Sequence, residues 1–157
     1  IPLCLVGSEM CIRDRAITLA KQAEIEGEVP VGALVTLEGK VIGRGYNQMI
    51  QNSDPTSHAE IIALREAALK LNNYRLVNCN LYVTLEPCLM CLGALVHARI
   101  GRLVYGADDP KSGAVKSHQE LLNSSMLNHK FEVTSGVMRD EASEQISNFF
   151  KKKRIKN

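Results

Sequence analysis

Two short fragments carry residue types that can do chemistry: His58-Ala59-Glu60 and Glu86-Pro87-Cys88-Leu89-Met90-Cys91. Cys88 and Cys91 stand three apart where a helix is expected to begin, with Pro87 just before. That spacing puts both sulfurs on one side of a first turn. A helix N-terminus offers unpaired amides and positive potential, which favour thiolate over thiol. Two such thiolates can share one zinc ion at about 2.3 Å. A structural zinc site takes four protein ligands, whereas a catalytic one takes three and keeps a position open. No second cysteine pair follows, and Cys79, just before an expected strand, reads as a small core residue. The third donor is then a histidine. His97 sits about two turns or more beyond the sulfurs on the same helix, and His118 and His129 fall in a loop. His58 opens a helix after a long polar stretch.

Glu60 follows His58 by two residues, a rotation of about 200° in a regular helix. The two side chains can face one site only if His58 lies in an irregular first turn. The lead-in Asp54-Pro55-Thr56-Ser57 permits that, because the residue before a proline avoids helical geometry. A lone Cys-x-x-Cys occurs in redox sites and structural zinc sites alike, and a lone glutamate on a helix is usually solvated. In this order, on two helix starts flanking a strand, the fragments match H-x-E…P-C-x-x-C, the signature of zinc-dependent nucleobase deaminases.

The surrounding elements must hold those fragments in place. Ile12, Ala16, Leu19, Ala20 and Ala23 recur at helical spacing, and Gly27 and Pro30 punctuate the end. Two β-branched runs, 31–37 and 41–46, are joined by Glu38-Gly39-Lys40 and read as a hairpin. Residues 47–57 form a loop. Helix is expected over 58–71, with Ile61, Ile62, Leu64, Ala68, Leu69 and Leu71 as its apolar members. A strand over 80–85, a nearly all-apolar helix over 88–98 and a strand over 102–106 follow. A short helix over 117–123, a short strand over 131–134 and an amphipathic helix over 138–154 complete the chain. Alternating strands and helices imply a mostly parallel sheet covered on both faces. The connection between the last two strands contains a helix, so they should be parallel.

The stretches AITLAKQA, EVPVGALV, VIGRGYN, DPTSHAEIIALREA, NYRL, LYVTLEPCLMC and GALVHARIGRLVYGADDPKSGA resemble bacterial tRNA adenosine deaminases of the TadA type. The resemblance runs from about Ala16 to Arg154. It implies a cytidine deaminase-like fold, a three-layer α/β/α sandwich with a five-stranded mixed sheet. It implies hydrolysis of adenosine to inosine at the wobble position of a tRNA anticodon loop, by a cytoplasmic homodimer with one zinc per subunit. The family's metal ligands fall on His58, Cys88 and Cys91, and its proton shuttle on Glu60. Its nucleotide-binding asparagine falls on Asn47, and its RNA-holding loop brings in Asp109 and Lys111. A free base or nucleoside deaminase of the guanine or cytosine type would use the same zinc and glutamate. A catalytically inert, RNA-binding scaffold would usually have lost Glu60, and a structural zinc module would need a fourth ligand.

With 157 residues, the chain suits one domain and can build a core without disulfide staples. Its five cysteines, an odd count, argue against a closed disulfide framework. No apolar run approaches the roughly 20 residues needed to span a bilayer, and residues 1–6 lack the features of a signal peptide. Formal net charge is only +2, so distribution matters more than total. Residues 151–157 carry five cations and no anion, which suits a solvated tail or a contact to phosphates. The first fifteen residues fit poorly with the rest and are expected to be a non-native or disordered segment, with the deaminase domain spanning 16–157.

Overall fold

In β1 (Gly32–Leu37), β3 (Asn80–Leu85) and β4 (Arg102–Ala107) almost every residue is buried, as strands covered on both faces require. The computed structural model describes residues 9–118 and 121–156. With β2 (Lys40–Tyr46) and β5 (Glu132–Thr134) these strands form one five-stranded mixed sheet in the order β2-β1-β3-β4-β5. β1 runs antiparallel to β2 and β3, while β3, β4 and β5 run parallel, as expected for the last two.

Successive strand residues point to opposite faces, and this alternation sorts the core. Ala33, Val35, Leu81, Val83 and Leu103 pack under α2 (Ala59–Leu71) and α3 (Leu89–Ala98). Their neighbours Leu34, Tyr82 and Val104 pack instead with Ile12 and Ala16 of α1 (Glu9–Ile25). α4 (Arg139–Lys156) lies beside α1 on that second face, against β3 and β4. The result is a three-layer α/β/α sandwich.

The β1–β2 hairpin closes on Glu38 and Gly39, both left-handed at φ 51° and 77°. Leu37 pairs with Lys40 across them, so the turn is of the two-residue type whose twist suits antiparallel strands.

α2 meets β2 through very small side chains. Ala59, Ala63 and Ala67, each fully buried, lie one turn apart along the helix. They ride on Gly43 and Gly45, where an added Cβ would collide with helix backbone; at Gly45 it would sit 2.5 Å from the Ala59 carbonyl oxygen and 2.8 Å from the Ala63 nitrogen. The buried stripe is therefore alanine, and Leu69, expected among the apolar members of the helix, is 83% exposed. Gly45→Ala should push α2 off the sheet and destabilise the fold by roughly 1–3 kcal/mol, as overpacking typically does. A shift of the urea midpoint measures this, and an unchanged midpoint would show that the seam has room.

Three boundaries differ from expectation. Over the described residues α1 spans Glu9–Ile25, so 9–15 are helical; Glu9 pairs with Arg102 at 3.0 Å and accepts from the Tyr82 hydroxyl at 3.1 Å. Residues 1–8 of the expected N-terminal segment lie outside the described residues. Over 117–123 the described part is a single 3-10 turn, Leu121–Asn123. The basic run at 151–156 continues α4 instead of leaving it, with Lys152 at 3.5 Å from Glu24 and Lys153 over the Phe149 ring.

Candidate active site

β2 and β3 both run antiparallel to β1, and β4 runs parallel to β3, so the carboxyl ends of β2, β3 and β4 share one edge of the sheet. Binding sites of open α/β sheets lie at such edges. Asn47 follows β2 directly, Glu86 follows β3, and Asp109 lies two residues beyond β4. A cavity of about 180 Å³ opens there, lined by Asn47, His58, Glu60, Glu86, Cys88 and Asp109 among others.

His58 is the N-cap of α2, in extended geometry at φ −73°, ψ 154°, and its ring makes no capping bond. This is the irregular first turn that the His-x-Glu spacing demands, and it turns His58 and Glu60 toward the same cavity. Cys88 occupies the equivalent place on α3, extended at φ −78°, ψ 177°, with its thiol likewise not spent on the cap. Cys91 sits in the first turn of α3 and is fully buried. His58 Nδ1 lies 3.6 Å from Cys88 Sγ and 3.5 Å from Cys91 Sγ, and the three donor atoms all fall within 4.8 Å of one another.

These separations fit a metal. With sulfur about 2.3 Å and nitrogen about 2.0–2.1 Å from a tetrahedral zinc, the S···N edge is about 3.6 Å. The set is three donors of the soft and borderline kind, the number that leaves one position for chemistry. The other histidines stand apart: His118 and His129 bond the carbonyls of Lys111 and Ile100, and His97 is exposed at the end of α3.

Electrostatics divide the protons of the metal-free triangle unevenly. The hydrogen bond with Cys91 pulls the Cys88 thiol down to about 4, with help from His58, against the opposing effect of burial. Cys91 is pushed far up by the same bond and by burial, so the pair shares one proton. His58 is raised, chiefly by its hydrogen bond with Cys88. Burial raises the Glu60 carboxyl, the direction that suits a group trading protons near neutrality.

Cys88 should thus react as a thiolate once metal is stripped. Iodoacetamide should label it at a nearly constant rate from pH 8 to pH 6, falling only as pH drops toward about 4. Cys79, raised by burial, should stay largely unlabelled. Ordinary thiols lose about tenfold in rate per pH unit below their pKa, and that behaviour at Cys88 would overturn the assignment. Added zinc should protect Cys88.

Asn47 is buried, and its Oδ1 accepts from the Ala59 amide at 2.9 Å, which fixes the start of α2 and leaves the Asn47 NH2 as the donor on the cavity side. Asp109 Oδ1 accepts from the Lys111 and Ser112 amides at 3.1 and 3.2 Å, folding the loop at the rim. Lys111 lines an adjoining depression with Leu89, Ser112 and His118 and does not line the cavity itself.

Two buried carboxylates with no assigned role at the sequence level hold the rim. Glu28, 1% exposed, accepts from the amides of Ile50 and Gln51 at 3.0–3.1 Å and ties down the loop beside Met49. Glu86, 3% exposed, accepts from the amides of Asp109, Val115, Lys116 and Ser117 and from the Ser117 hydroxyl. Burial pushes its carboxyl up, but these bonds outweigh burial and leave it below the ordinary range. The only sequence signal for either was a glutamate inside an otherwise apolar, turn-flanked stretch.

The model of the MafB19-like deaminase family matches residues 9–154. The chain is 53% identical over 140 residues to a tRNA-specific adenosine deaminase of Haemophilus influenzae, covering 88% of this chain and 81% of that protein. It is 46% identical over 143 residues to the protein of the same description from Buchnera aphidicola, covering 89% and 92%. A solved structure from work on A-to-I editing by tRNA:A34 deaminases at the wobble position of transfer RNA superposes with a TM-score of 0.86 at 42% identity, covering 87% of this chain and 99% of that one.

Proposed function

The chain belongs to the tRNA-specific adenosine deaminases of the cytidine deaminase-like superfamily, and from that premise we propose that it hydrolyses adenosine to inosine at the wobble position of a tRNA anticodon loop. The observation that carries the reading is the His58–Cys88–Cys91 triangle with the buried Glu60 carboxyl in the same cavity. His58, Cys88 and Cys91 would hold one zinc per subunit. Zinc bound there supplies a Lewis acid that makes water nucleophilic at neutral pH.

Glu60 takes a proton from the attacking water and passes it to N1 of the adenine as oxygen adds at C6. Glu60 then carries the proton of the hydroxyl added at C6 to the exocyclic amino group, the C6–N bond breaks, ammonia leaves, and inosine remains. Asn47 offers its NH2 to an acceptor on the base and holds the ring against the catalytic edge. Lys111 sits outside the cavity, where a backbone phosphate would pass, and Asp109 shapes the loop between them. An anticodon loop is single-stranded, so turning its base into a small cavity costs little. The protein works as a homodimer in the cytoplasm.

Incubation with anticodon stem-loop RNA, and separately with adenosine, guanine and cytosine, tests the reading through inosine and ammonia. Inosine in the RNA and little turnover of the small substrates is the expected result. Turnover of a free base with none of RNA would replace it with the small-substrate reading.

A further inference from the structure

We propose that Glu86 is a positioning residue for the RNA substrate: its buried carboxylate ties the loop at 107–117 to the segment that carries Cys88, and so holds the rim of the cavity in its binding shape. The proposal rests on the function given above.

The chain between β3 and α3 is strapped to this loop at several points. The Glu86 amide donates to the Ala107 carbonyl at 2.8 Å, and the Ala114 amide donates to the Pro87 carbonyl at 3.0 Å. Cys88 and Gly113 form an antiparallel bridge. These bonds hold the loop at Ala107, Gly113 and Ala114. Val115, Lys116 and Ser117, which follow, have three successive amides to satisfy. Both carboxylate oxygens of Glu86 are taken up in doing so, Oε2 by Val115, Lys116 and Ser117 at 2.8–3.1 Å and Oε1 by Asp109 at 3.0 Å and the Ser117 hydroxyl. Gly113 leaves no gap above the carboxylate, since a Cβ there would strike Glu86.

A glutamine cannot replace this group. Four backbone amides point at the two oxygens, Asp109 at Oε1 and Val115, Lys116 and Ser117 at Oε2, so an amide NH2 in either place opposes a backbone donor even where the Ser117 hydroxyl turns to accept. The loop would then pay its ordering cost only when RNA arrives, and that cost appears in KM. His58, Glu60 and Cys91 lie on other elements, and Cys88 keeps its own backbone bridge to Gly113, so kcat should move much less.

The test compares zinc-loaded parent, Glu86→Gln and Ser117→Ala, by zinc content, melting, amide exchange and kinetics on anticodon stem-loop RNA. In Glu86→Gln the amides of Val115, Lys116 and Ser117 should exchange at least about tenfold faster, while those of α2 and α3 keep parent rates. KM should rise about tenfold with kcat within about threefold of the parent, the scale expected for losing charge-assisted bonds. Ser117→Ala removes one contact and should raise KM about twofold to threefold. A folded Glu86→Gln with parent-like exchange and KM overturns the proposal. So does a fall in kcat and zinc together at unchanged KM, which would make Glu86 a support for Cys88 instead. If Glu86→Gln does not fold, Ser117→Ala decides alone: faster exchange at 115–117 supports the proposal and parent-like exchange overturns it. A parent that leaves stem-loop RNA unchanged refutes the function given above, while the exchange rates still decide whether Glu86 holds the loop.

Discussion

Glu60→Ala is expected to lose turnover by about two to four orders of magnitude while retaining its zinc, because general acid–base groups contribute on that scale. Glu60 is the second residue of α2, two past the His58 cap, and is 4% exposed. It is not among the three clustered metal donors. Burial raises its carboxyl, so the metal-free chain gains no stability from keeping it ionised. Metal-free Glu60→Gln, of nearly the same shape, should therefore melt at or above the metal-free parent, and the zinc-loaded variant should be as inactive as the alanine variant. That combination separates a proton carrier from a packing residue. Activity within tenfold of the parent in either variant would remove Glu60 from the mechanism.

Cys91→Ala should show the opposite pattern, losing metal, stability and activity together. Cys91 is fully buried in the first turn of α3, and its sulfur stands 3.5 Å from His58 Nδ1. Two remaining donors hold zinc poorly, so content should fall from about one per chain to a small fraction after dialysis. Zinc bound only to the folded state at 100 times its Kd adds about 2.7 kcal/mol. At about 2–4 °C per kcal/mol for a chain of this size, its loss should lower Tm by roughly 5–10 °C. Cys88→Ala should behave alike. Full zinc retention in both variants would sink the ligand assignment.

The reacting residues were legible because each pair is close in sequence. His58 with Glu60, and Cys88 with Cys91, state their relation through spacing, and the need for an irregular turn at His58 followed from helix geometry alone. The strands were legible from β-branched runs. What escaped depended on the backbone. Glu86 and Glu28 bind amides 20 or more residues away, and an amide leaves no mark in the sequence. The path of the chain at 115–117 escaped for the same reason: the amides of Lys116 and Ser117 go to Glu86. On α2, hydropathy favoured Leu69 over Ala63, yet closeness to Gly43 and Gly45 selected the smaller residue. The glutamate at position 9 shows a related gap, since its partner Arg102 lies 93 residues along the chain.

The way Glu86 grips its loop bears on how such a protein can change over generations. It holds Val115 and Lys116 by peptide amides, which every residue except proline supplies. Side chains at those positions can therefore be exchanged while the path of the chain persists. Helix α2 has no such latitude, because its seam with β2 takes only alanine methyl groups from the helix and no Cβ at all at Gly43 and Gly45. Inherited variation in what the cavity accepts should accumulate on the rim, over a catalytic floor that stays the same.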